Sequence, residues 1–108
     1  MIYLSAQDFF EKASLCRELT RQEEIEYGHR MNNGDAAARD ALIESYTPIV
    51  ARHIRHTKAH LQTLGLVLYC MQALEKAVDS FDFTQDSEPF SHRLSWAIRQ
   101  AVARYLVR

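Results

Sequence analysis

The sequence contains few of the residues that interrupt regular structure, with three glycines and two prolines among 108 residues. So small a number excludes collagen-like and low-complexity classes, which are rich in these two residues. The sequence also lacks hairpin-type turns and strict alternation of apolar and polar residues, so no β-sheet is predicted. With 47% hydrophobic and 25% charged residues, its composition is typical of a globular protein, and we expect one domain over residues 1–108.

Cysteine and long apolar runs are also scarce. Cys16 and Cys70 belong to no paired motif, so we expect two reduced thiols in an intracellular protein rather than a disulfide framework. No uncharged run is long enough to cross a bilayer, and the N-terminus does not have the pattern of a secretion signal. These absences predict a cytoplasmic protein that does not contact the membrane.

Catalytic motifs are absent as well: there is no glycine-rich phosphate loop, no nucleophile elbow and no zinc-hydrolase motif. His53, His56 and His60 suggest a metal site, but on one helix the outer two would stand about 10 Å apart along the axis. No Cys, Asp or Glu lies between them to add a ligand. We interpret the histidines as a solvated, weakly basic face, and we predict no enzyme, no metal and no cofactor.

What the sequence does contain is a set of residues suited to starting helices. The expected capping residues are Ser5, Thr20, Asp35 and Thr63. Glu23 completes a capping box with Thr20, the second helix should stop at residues 32–34, and the fourth should span residues 64–81. With a further helix from residue 90, the sequence predicts an all-α fold, a compact bundle of about five or six helices.

The third helix contains Pro48. Proline is tolerated in a first turn of a helix, but in the interior it removes a hydrogen bond and crowds the preceding turn. We therefore expect either a bend near Thr47 or a new helix from Pro48 to about His56.

The fourth predicted helix begins with a run, residues 64–71, that has no polar face. A helix that is apolar on all sides must be enclosed by the protein or dock against a partner. We keep both interpretations: a central core helix, or a helix that offers Leu68 or Tyr69 to a partner surface.

The helix predicted from residue 90 has two different faces. The core-facing side would carry Leu94, Ile98, Ala101 and Tyr105. The other side would carry Arg93, Trp96, Gln100 and Arg104. No acidic residue occurs in residues 89–108, whereas nine of the fourteen acidic residues precede Tyr46. An exposed tryptophan among arginines is typical of surfaces that stack unpaired bases, although a tryptophan can also close a core.

Several short motifs, in collinear order, resemble the sigma-70 family of bacterial RNA polymerase sigma factors. The matching segments are residues 19–26 (LTRQEEIE), 33–39 (NGDAAAR), 42–44 (LIE), 74–82 (LEKAVDSFD), 90–91 (FS) and 96–101 (WAIRQA). The first three are similar to regions 1.2 and 2.1 of the family, the fourth to the end of region 2.2, and the last two to regions 2.3 and 2.4. The resemblance covers nearly the whole chain and implies a region 2 domain without regions 3 and 4.

The resemblance implies a transcription initiation factor domain. Such a domain docks on the clamp of the largest subunit of core RNA polymerase and captures flipped bases of the non-template strand at the promoter −10 element. By position, Trp96 resembles one of the family's paired promoter-melting aromatics, and Gln100 resembles a residue that reads the upstream edge of the element. Arg99 and Arg104 would be phosphate contacts or structural partners. The implied DNA-binding set is Arg93, Trp96, Arg99, Gln100 and Arg104.

The chain departs from the family pattern at several of these positions. Arg93 stands where the family has a tyrosine and Ala97 where it has a second tryptophan, so we expect weaker melting. Leu68 and Tyr69 occupy polar and acidic polymerase-binding positions, and Gln72 completes the predicted partner-binding surface. Because nothing here corresponds to the family's −35-reading domain, we expect either a piece of a longer factor or a second protein that supplies that domain.

Two functions of different classes follow from the resemblance and its departures. The first is a sigma-type domain that binds core polymerase and recognises and melts the −10 element. The second is a diverged sigma-like protein-interaction module, without promoter melting, that uses Leu68 and Tyr69 to form a homodimer or to bind a regulatory partner.

Overall fold

Four α-helices begin directly after the capping residues that the sequence predicts, Ser5, Thr20, Asp35 and Thr63. In the computed structural model, which describes residues 2–85 and 89–107, Ser5 Oγ accepts a hydrogen bond from the Asp8 N–H at 3.0 Å, and Thr63 Oγ1 accepts one from the Leu66 N–H at 3.2 Å. The helices are α1 (Ala6–Ala13), α2 (Arg21–Asn32), α3 (Ala36–Arg55), α4 (Leu64–Ser80) and α5 (Phe90–Leu106), with a 3-10 turn at Ala59–Leu61. No strand occurs within the described ranges, so the all-α prediction is confirmed.

Helix α2 has the predicted capping box at its start. The Glu23 N–H donates to Thr20 Oγ1 at 3.1 Å, and the Thr20 N–H donates to a Glu23 carboxylate oxygen at 3.0 Å. Arg17 forms two further hydrogen bonds with the same carboxylate, at 3.0 and 2.9 Å. Together these donors lower the pKa of Glu23 to about 2. The helix ends before Gly34, whose φ of 91° lies in the left-handed region that favours glycine.

Helix α3 runs through Pro48 as one helix of 20 residues, so the expectation of a new helix from Pro48 is wrong. The proline has no N–H to donate to the Glu44 carbonyl one turn earlier, yet the helix continues to Arg55. Thr47 is fully buried beside the proline, and its hydroxyl donates to the Ile43 carbonyl at 3.0 Å. One lost hydrogen bond is thus tolerated inside a long, packed helix; the bend near Thr47 stays a prediction.

The core lies where α3, α4 and α5 meet. Ile54, Leu74 and Ile98, one from each helix, are fully buried. A cluster of aromatic rings closes one end of this core, before and at the start of α5. Its members are Tyr46, Phe81, Phe83 and Phe90, with ring centroids of contacting pairs 4.7 to 6.5 Å apart. Phe81 and Phe83 therefore belong to the core, and their contacts with Phe90 hold the start of α5 against it.

Helix α4 satisfies both interpretations of its apolar first half. Leu66, Val67 and Cys70 are fully buried, whereas 46% of Leu68 is exposed. The helix ends at Ser80, one residue before the expected end, because Phe81 adopts an extended backbone as the C-cap. One side of this helix is therefore core, and the other offers an apolar residue to solvent.

The described residues contain two free cysteines and neither a metal-binding cluster nor a membrane-spanning helix. Cys16 and Cys70 are both free thiols, and burial raises the pKa of Cys70 to about 12. Within residues 2–85 and 89–107, no group of three or more His, Cys, Asp or Glu side chains is placed to hold a metal ion. No helix in the same ranges is both long and apolar enough to cross a bilayer.

Candidate nucleic-acid interface

Helix α5 packs against both α3 and α4 and presents a ridge between them. Leu94 and Ile98 are fully buried and Ala101 is 5% exposed, which confirms the predicted core-facing side. Tyr105 is half-buried, and its ring lies 5.4 Å, centroid to centroid, from the ring of Tyr69 on α4. The buried stripe fixes the rotation of α5 about its axis, and therefore which side chains its ridge exposes.

Trp96 lies on the exposed ridge. Because 64% of its surface is accessible, the alternative that it closes the core is wrong. It borders a groove of about 460 Å³ between α4 and α5. The residues around this groove, here called the tryptophan groove, are Tyr69, Gln72, Ala73, Lys76, Ala77, Ser80, Arg93, Trp96, Ala97, Gln100, Ala101 and Arg104. Four of the five predicted DNA-binding residues are thus brought together there.

The chemistry of the tryptophan groove suits a planar base attached to a phosphate. Its lining includes alanines from both helices, and its other members carry an indole, a phenol, a hydroxyl, two amides and three cationic groups, with no carboxylate. An indole offers a stacking surface to any base, and amides can pair with base edges. Arg93 lies over the ring of Phe81, with its guanidinium carbon 5.8 Å from the ring centroid, so a neighbouring aromatic ring orients it.

Arg99 is not part of the tryptophan groove. It borders a second groove, of about 540 Å³, between α3 and α5. The residues around this groove, here called the histidine groove, are Arg52, His53, His56, Thr57, Ser95, Arg99 and Val102. The structure therefore divides the predicted DNA-binding set between two sides of one helix.

The sequence reasoning missed the link between the histidines and α5. His53 Nε2 lies 3.1 Å from Ser95 Oγ, which joins the two helices at the histidine groove. Burial lowers the pKa of His53, and the positive charges of Arg99, Arg52 and His56 lower it further. A signal was present: residues 45–74 contain no acidic residue, so a basic surface on the second half of α3 has no local carboxylate to neutralise it.

The predicted partner-binding residues lie on a ridge of α4 that separates two grooves. Tyr69 borders the tryptophan groove, and Leu68 borders a third groove of about 320 Å³ between α3 and α4. Gln72 borders both. The third groove also carries three carboxylates, those of Asp40, Glu44 and Glu75. Leu68 and Tyr69 therefore face different chemical surroundings and do not form one continuous apolar patch.

Positive charge on α5 is not neutralised by carboxylates of the described residues. The five ion pairs in these ranges use Lys12, Arg17, Arg21, Arg30 and Arg39 as their cations. None of them includes Arg93, Arg99 or Arg104, and all three of these arginines are exposed. Exposed, unpaired guanidinium groups attract phosphates through charge and can form two parallel hydrogen bonds with them.

No family model matches the chain. Over 87 residues the chain is 36% identical to the RNA polymerase sigma factor SigA of Clostridium acetobutylicum. The match covers 80% of this chain and 23% of the length of SigA. The chain thus corresponds to a minor part of that relative, and the similarity supports a sigma-factor-like region in this chain.

Proposed function

We propose that this chain is a non-enzymatic transcription initiation factor domain that binds promoter −10 DNA through α5 and core RNA polymerase through α4. The observation that carries the proposal is the single tryptophan of the chain, 64% exposed beside a groove that has three cationic side chains and no carboxylate. The similarity to SigA supports the assignment to transcription initiation.

For DNA, the proposal assigns separate roles to the side chains around the tryptophan groove. Trp96 stacks on an unpaired base of the non-template strand, which is worth about 1–3 kcal/mol per base. Gln100 hydrogen-bonds a base edge, and Arg93 and Arg104 bind phosphates. Because Ala97 supplies no second ring, only one base has an aromatic partner on this ridge. We therefore expect capture of an already opened strand to be stronger than opening of a closed duplex.

For polymerase, the proposal uses the exposed ridge of α4. Leu68 supplies an exposed apolar contact, and Gln72 lies one turn further along the same face. The carboxylates of the neighbouring groove, among them Glu75, favour a partner surface with positive charge. The partner we propose is the clamp of the largest subunit of core RNA polymerase, with a second protein or a further part of the same protein reading the −35 element.

The DNA half of the proposal is tested by the fluorescence of Trp96, the only tryptophan of the chain. A short adenine- and thymine-rich single strand is titrated at low salt, and stacking should quench the indole emission. In parallel, anisotropy of a labelled strand should show a loss of about 10-fold or more in affinity for Trp96→Ala, as expected when one stacked base is lost. Leu15→Ala, at an exposed apolar residue on the N-terminal side, is the matched control. Strand binding without quenching would contradict the proposed stacking.

The polymerase half is tested by capture of purified core RNA polymerase. Leu68→Glu should abolish capture and leave the fluorescence titration unchanged, while Leu15→Glu should retain both. The exposure of Leu68 also favours the second candidate, an interaction module without promoter melting. Sedimentation that shows a concentration-dependent dimer lost in Leu68→Glu, with no capture of polymerase and no DNA binding, would replace the first function by the second.

A further inference from the structure

The stacking surface of Trp96 has a guanidinium group on one side and an amide on the other. Residues three or four positions apart on a helix are surface neighbours. Of the residues at these spacings from Trp96, only Arg93 and Gln100 border the tryptophan groove. A base that stacks on an aromatic ring keeps its edges free for hydrogen bonds. Arg93 and Gln100 are therefore the α5 side chains placed to read the base that stacks on Trp96.

The opposite wall of the tryptophan groove leaves room for a base and offers it no negative charge. Ala73, Ala77 and Ser80 border the groove from α4 at helical spacing, and their short side chains leave a space of about 460 Å³. The charged group that α4 adds is the ammonium of Lys76. Because lysine and arginine side chains only donate hydrogen bonds, every charged group of the groove favours a base edge that accepts them.

Arg93 is held beside the stacking surface by the core. Its guanidinium carbon lies 5.8 Å from the centroid of the Phe81 ring, and Phe81 is itself buried in contact with Phe90. Arg93 takes part in no ion pair within residues 2–85 and 89–107. A side chain that already rests on a ring loses less freedom when it binds a ligand. The N–H groups of Arg93 are thus both restrained and available.

Guanine is the purine whose edges match this arrangement. Its O6 and N7 are adjacent acceptors, which a guanidinium binds with two parallel hydrogen bonds. Adenine has the N6 amino group in place of O6, so a guanidinium would place a donor against a donor. The N2 amino group of guanine is a donor, and the side-chain oxygen of Gln100 can accept from it. Arg93 and Gln100 together therefore favour guanine over adenine.

We propose that Trp96 captures an unpaired guanine in preference to adenine, and that Arg93 is the residue that selects it. This inference rests on the proposed function, since it assumes that a base stacks on Trp96. It gives Arg93 a contact with a base edge, while Arg104 keeps a contact with phosphate that any sequence offers. Because the family has a tyrosine at the position of Arg93, the preference is a property of this chain.

The test uses the full chain and labelled strands of thymines that differ in one central base. Anisotropy at low salt should show that the strand with guanine binds about 10-fold more tightly than the strand with adenine. Replacement of this guanine by 7-deazaguanine, which lacks the N7 acceptor, should weaken binding about 3-fold or more. Equal affinity for guanine and adenine, tighter binding of cytosine, or no loss with 7-deazaguanine would overturn the inference.

Two variants assign the preference to a position. Arg93→Gln replaces the guanidinium by an amide, which pairs with N6 and N7 of adenine, so it should remove the preference for guanine. Arg104→Gln is the matched control, because it removes the same charge from the same groove and helix. It should weaken the guanine and adenine strands by the same factor and keep the preference at about 10-fold. Loss of the preference in both variants would show an effect of charge alone and overturn the assignment to Arg93.

The two proposals fail separately. If Trp96→Ala weakens the guanine and adenine strands alike, and the unchanged protein binds both equally, the stacking stands and the selection of guanine is wrong. If Trp96→Ala leaves the affinity for every strand unchanged while Arg93→Gln still removes a preference for guanine, the proposed stacking is wrong and the base contact of Arg93 stands. Circular dichroism of each variant, with unchanged thermal midpoints, establishes that folded proteins are compared.

Discussion

The charged side chains of the N-terminal half and those of α5 are used in opposite ways. In residues 2–44 every Lys and Arg forms an ion pair, four with a carboxylate of the same segment and one with Asp79 on α4, and the helix starts are capped by side chains. The five ion pairs are Asp8–Lys12, Arg17–Glu23, Arg21–Glu24, Arg30–Asp35 and Arg39–Asp79. Helix α5 begins at Phe90 after Pro89, an N-cap that makes no side-chain capping hydrogen bond, and its arginines take part in no ion pair within the described ranges.

This difference in pairing separates the charges that stabilise the fold from those that are accessible to a ligand. A paired, capping carboxylate satisfies backbone N–H groups that would otherwise have no partner in the helix. An exposed, unpaired arginine contributes little to stability, yet it raises the positive potential that draws a polyanion. Substitutions of paired or capping side chains in the first half should therefore lower stability and leave DNA binding unchanged. Substitutions of the exposed arginines of α5 should weaken DNA binding and leave stability nearly unchanged.

The largest effect is expected where the two halves meet, at Gly28 on α2. This glycine is buried, and a Cβ added to it would stand 2.7 Å from Cβ of Phe83, within the aromatic cluster that precedes α5. Gly28→Ala should lower the free energy of unfolding by about 1–3 kcal/mol through overpacking, although alanine favours a helix by about 1 kcal/mol. Urea unfolding followed by circular dichroism measures the change.

Gln22→Ala, at an exposed position on the same helix, is the control and should not be destabilised. Because Phe83 belongs to the cluster that fixes the start of α5, Gly28→Ala is the one variant expected to disturb both halves together. An unfolding free energy equal to or above that of the unchanged protein would show that α2 can move away from Phe83 at little cost.

The next effect concerns the cap of α2 alone. Thr20→Ala removes the oxygen that accepts the Glu23 N–H and should lower the unfolding free energy by about 1 kcal/mol. Thr20→Ser keeps an equivalent oxygen and should retain most of the stability. Affinity for a single strand, measured under conditions where both variants are folded, should not change. A loss of affinity in Thr20→Ala would contradict the separation of the two halves.

Local chemistry explains which parts of the fold could be predicted from the sequence. A cap such as Asp35 accepts hydrogen bonds from N–H groups two or three residues away, those of Ala37 and Ala38. The start of a helix can therefore be predicted from a few consecutive residues. The buried stripe of α5 follows from helical spacing in the same way. The continuity of α3 through Pro48 could not be predicted from the neighbouring residues, because it depends on packing against the core, which outweighs one lost hydrogen bond.

The candidate site was predictable only as a helix face. Spacing correctly separated Trp96 and Arg93 from the buried side, but it could not show that α3 and α4 flank α5 and place Arg99 in a different groove from Trp96. Nor could it show that His53 contacts Ser95, 42 residues away in sequence. Such contacts depend on how the helices pack. The spacing of residues along one helix does not show which other helix lies beside it.

A matched pair of arginine variants compares a paired arginine with an exposed arginine of α5, and its expected effects on stability are smaller than those of Gly28→Ala and Thr20→Ala. Arg39 forms two hydrogen bonds with Asp79, at 2.7 and 3.0 Å, between α3 and α4. Arg39→Gln should lower the unfolding free energy by about 0.5 kcal/mol, the usual contribution of an exposed ion pair, and leave affinity for DNA unchanged. Arg99→Gln should leave the free energy of unfolding unchanged and weaken binding of a labelled DNA in which a single strand is joined to a duplex. An equal loss of DNA affinity in the two variants would show that DNA binding depends on the net charge of the protein and not on the position of the arginine.

The smallest effect is a pH dependence confined to the paired half. Hydrogen bonds from Arg17, and then from the Thr20 N–H, hold the pKa of Glu23 at about 2 against an ordinary value of 4.5. The unfolded chain therefore takes up a proton at this side chain before the folded chain does, so the stabilisation is complete above pH 4.5 and is lost as the pH falls toward 2. Hydrogen bonds also lower the pKa values of Asp8, Asp35 and Asp79, so the informative quantity is the difference between the unchanged protein and Glu23→Gln. That difference in thermal midpoint should be constant above pH 5 and shrink below pH 4. The control is Glu26→Gln, on the same helix but in none of the five ion pairs. Its difference in thermal midpoint from the unchanged protein should change less over the same pH range. A midpoint difference for Glu23→Gln that stays constant down to pH 3 would show that the carboxylate charge is not what stabilises the start of α2.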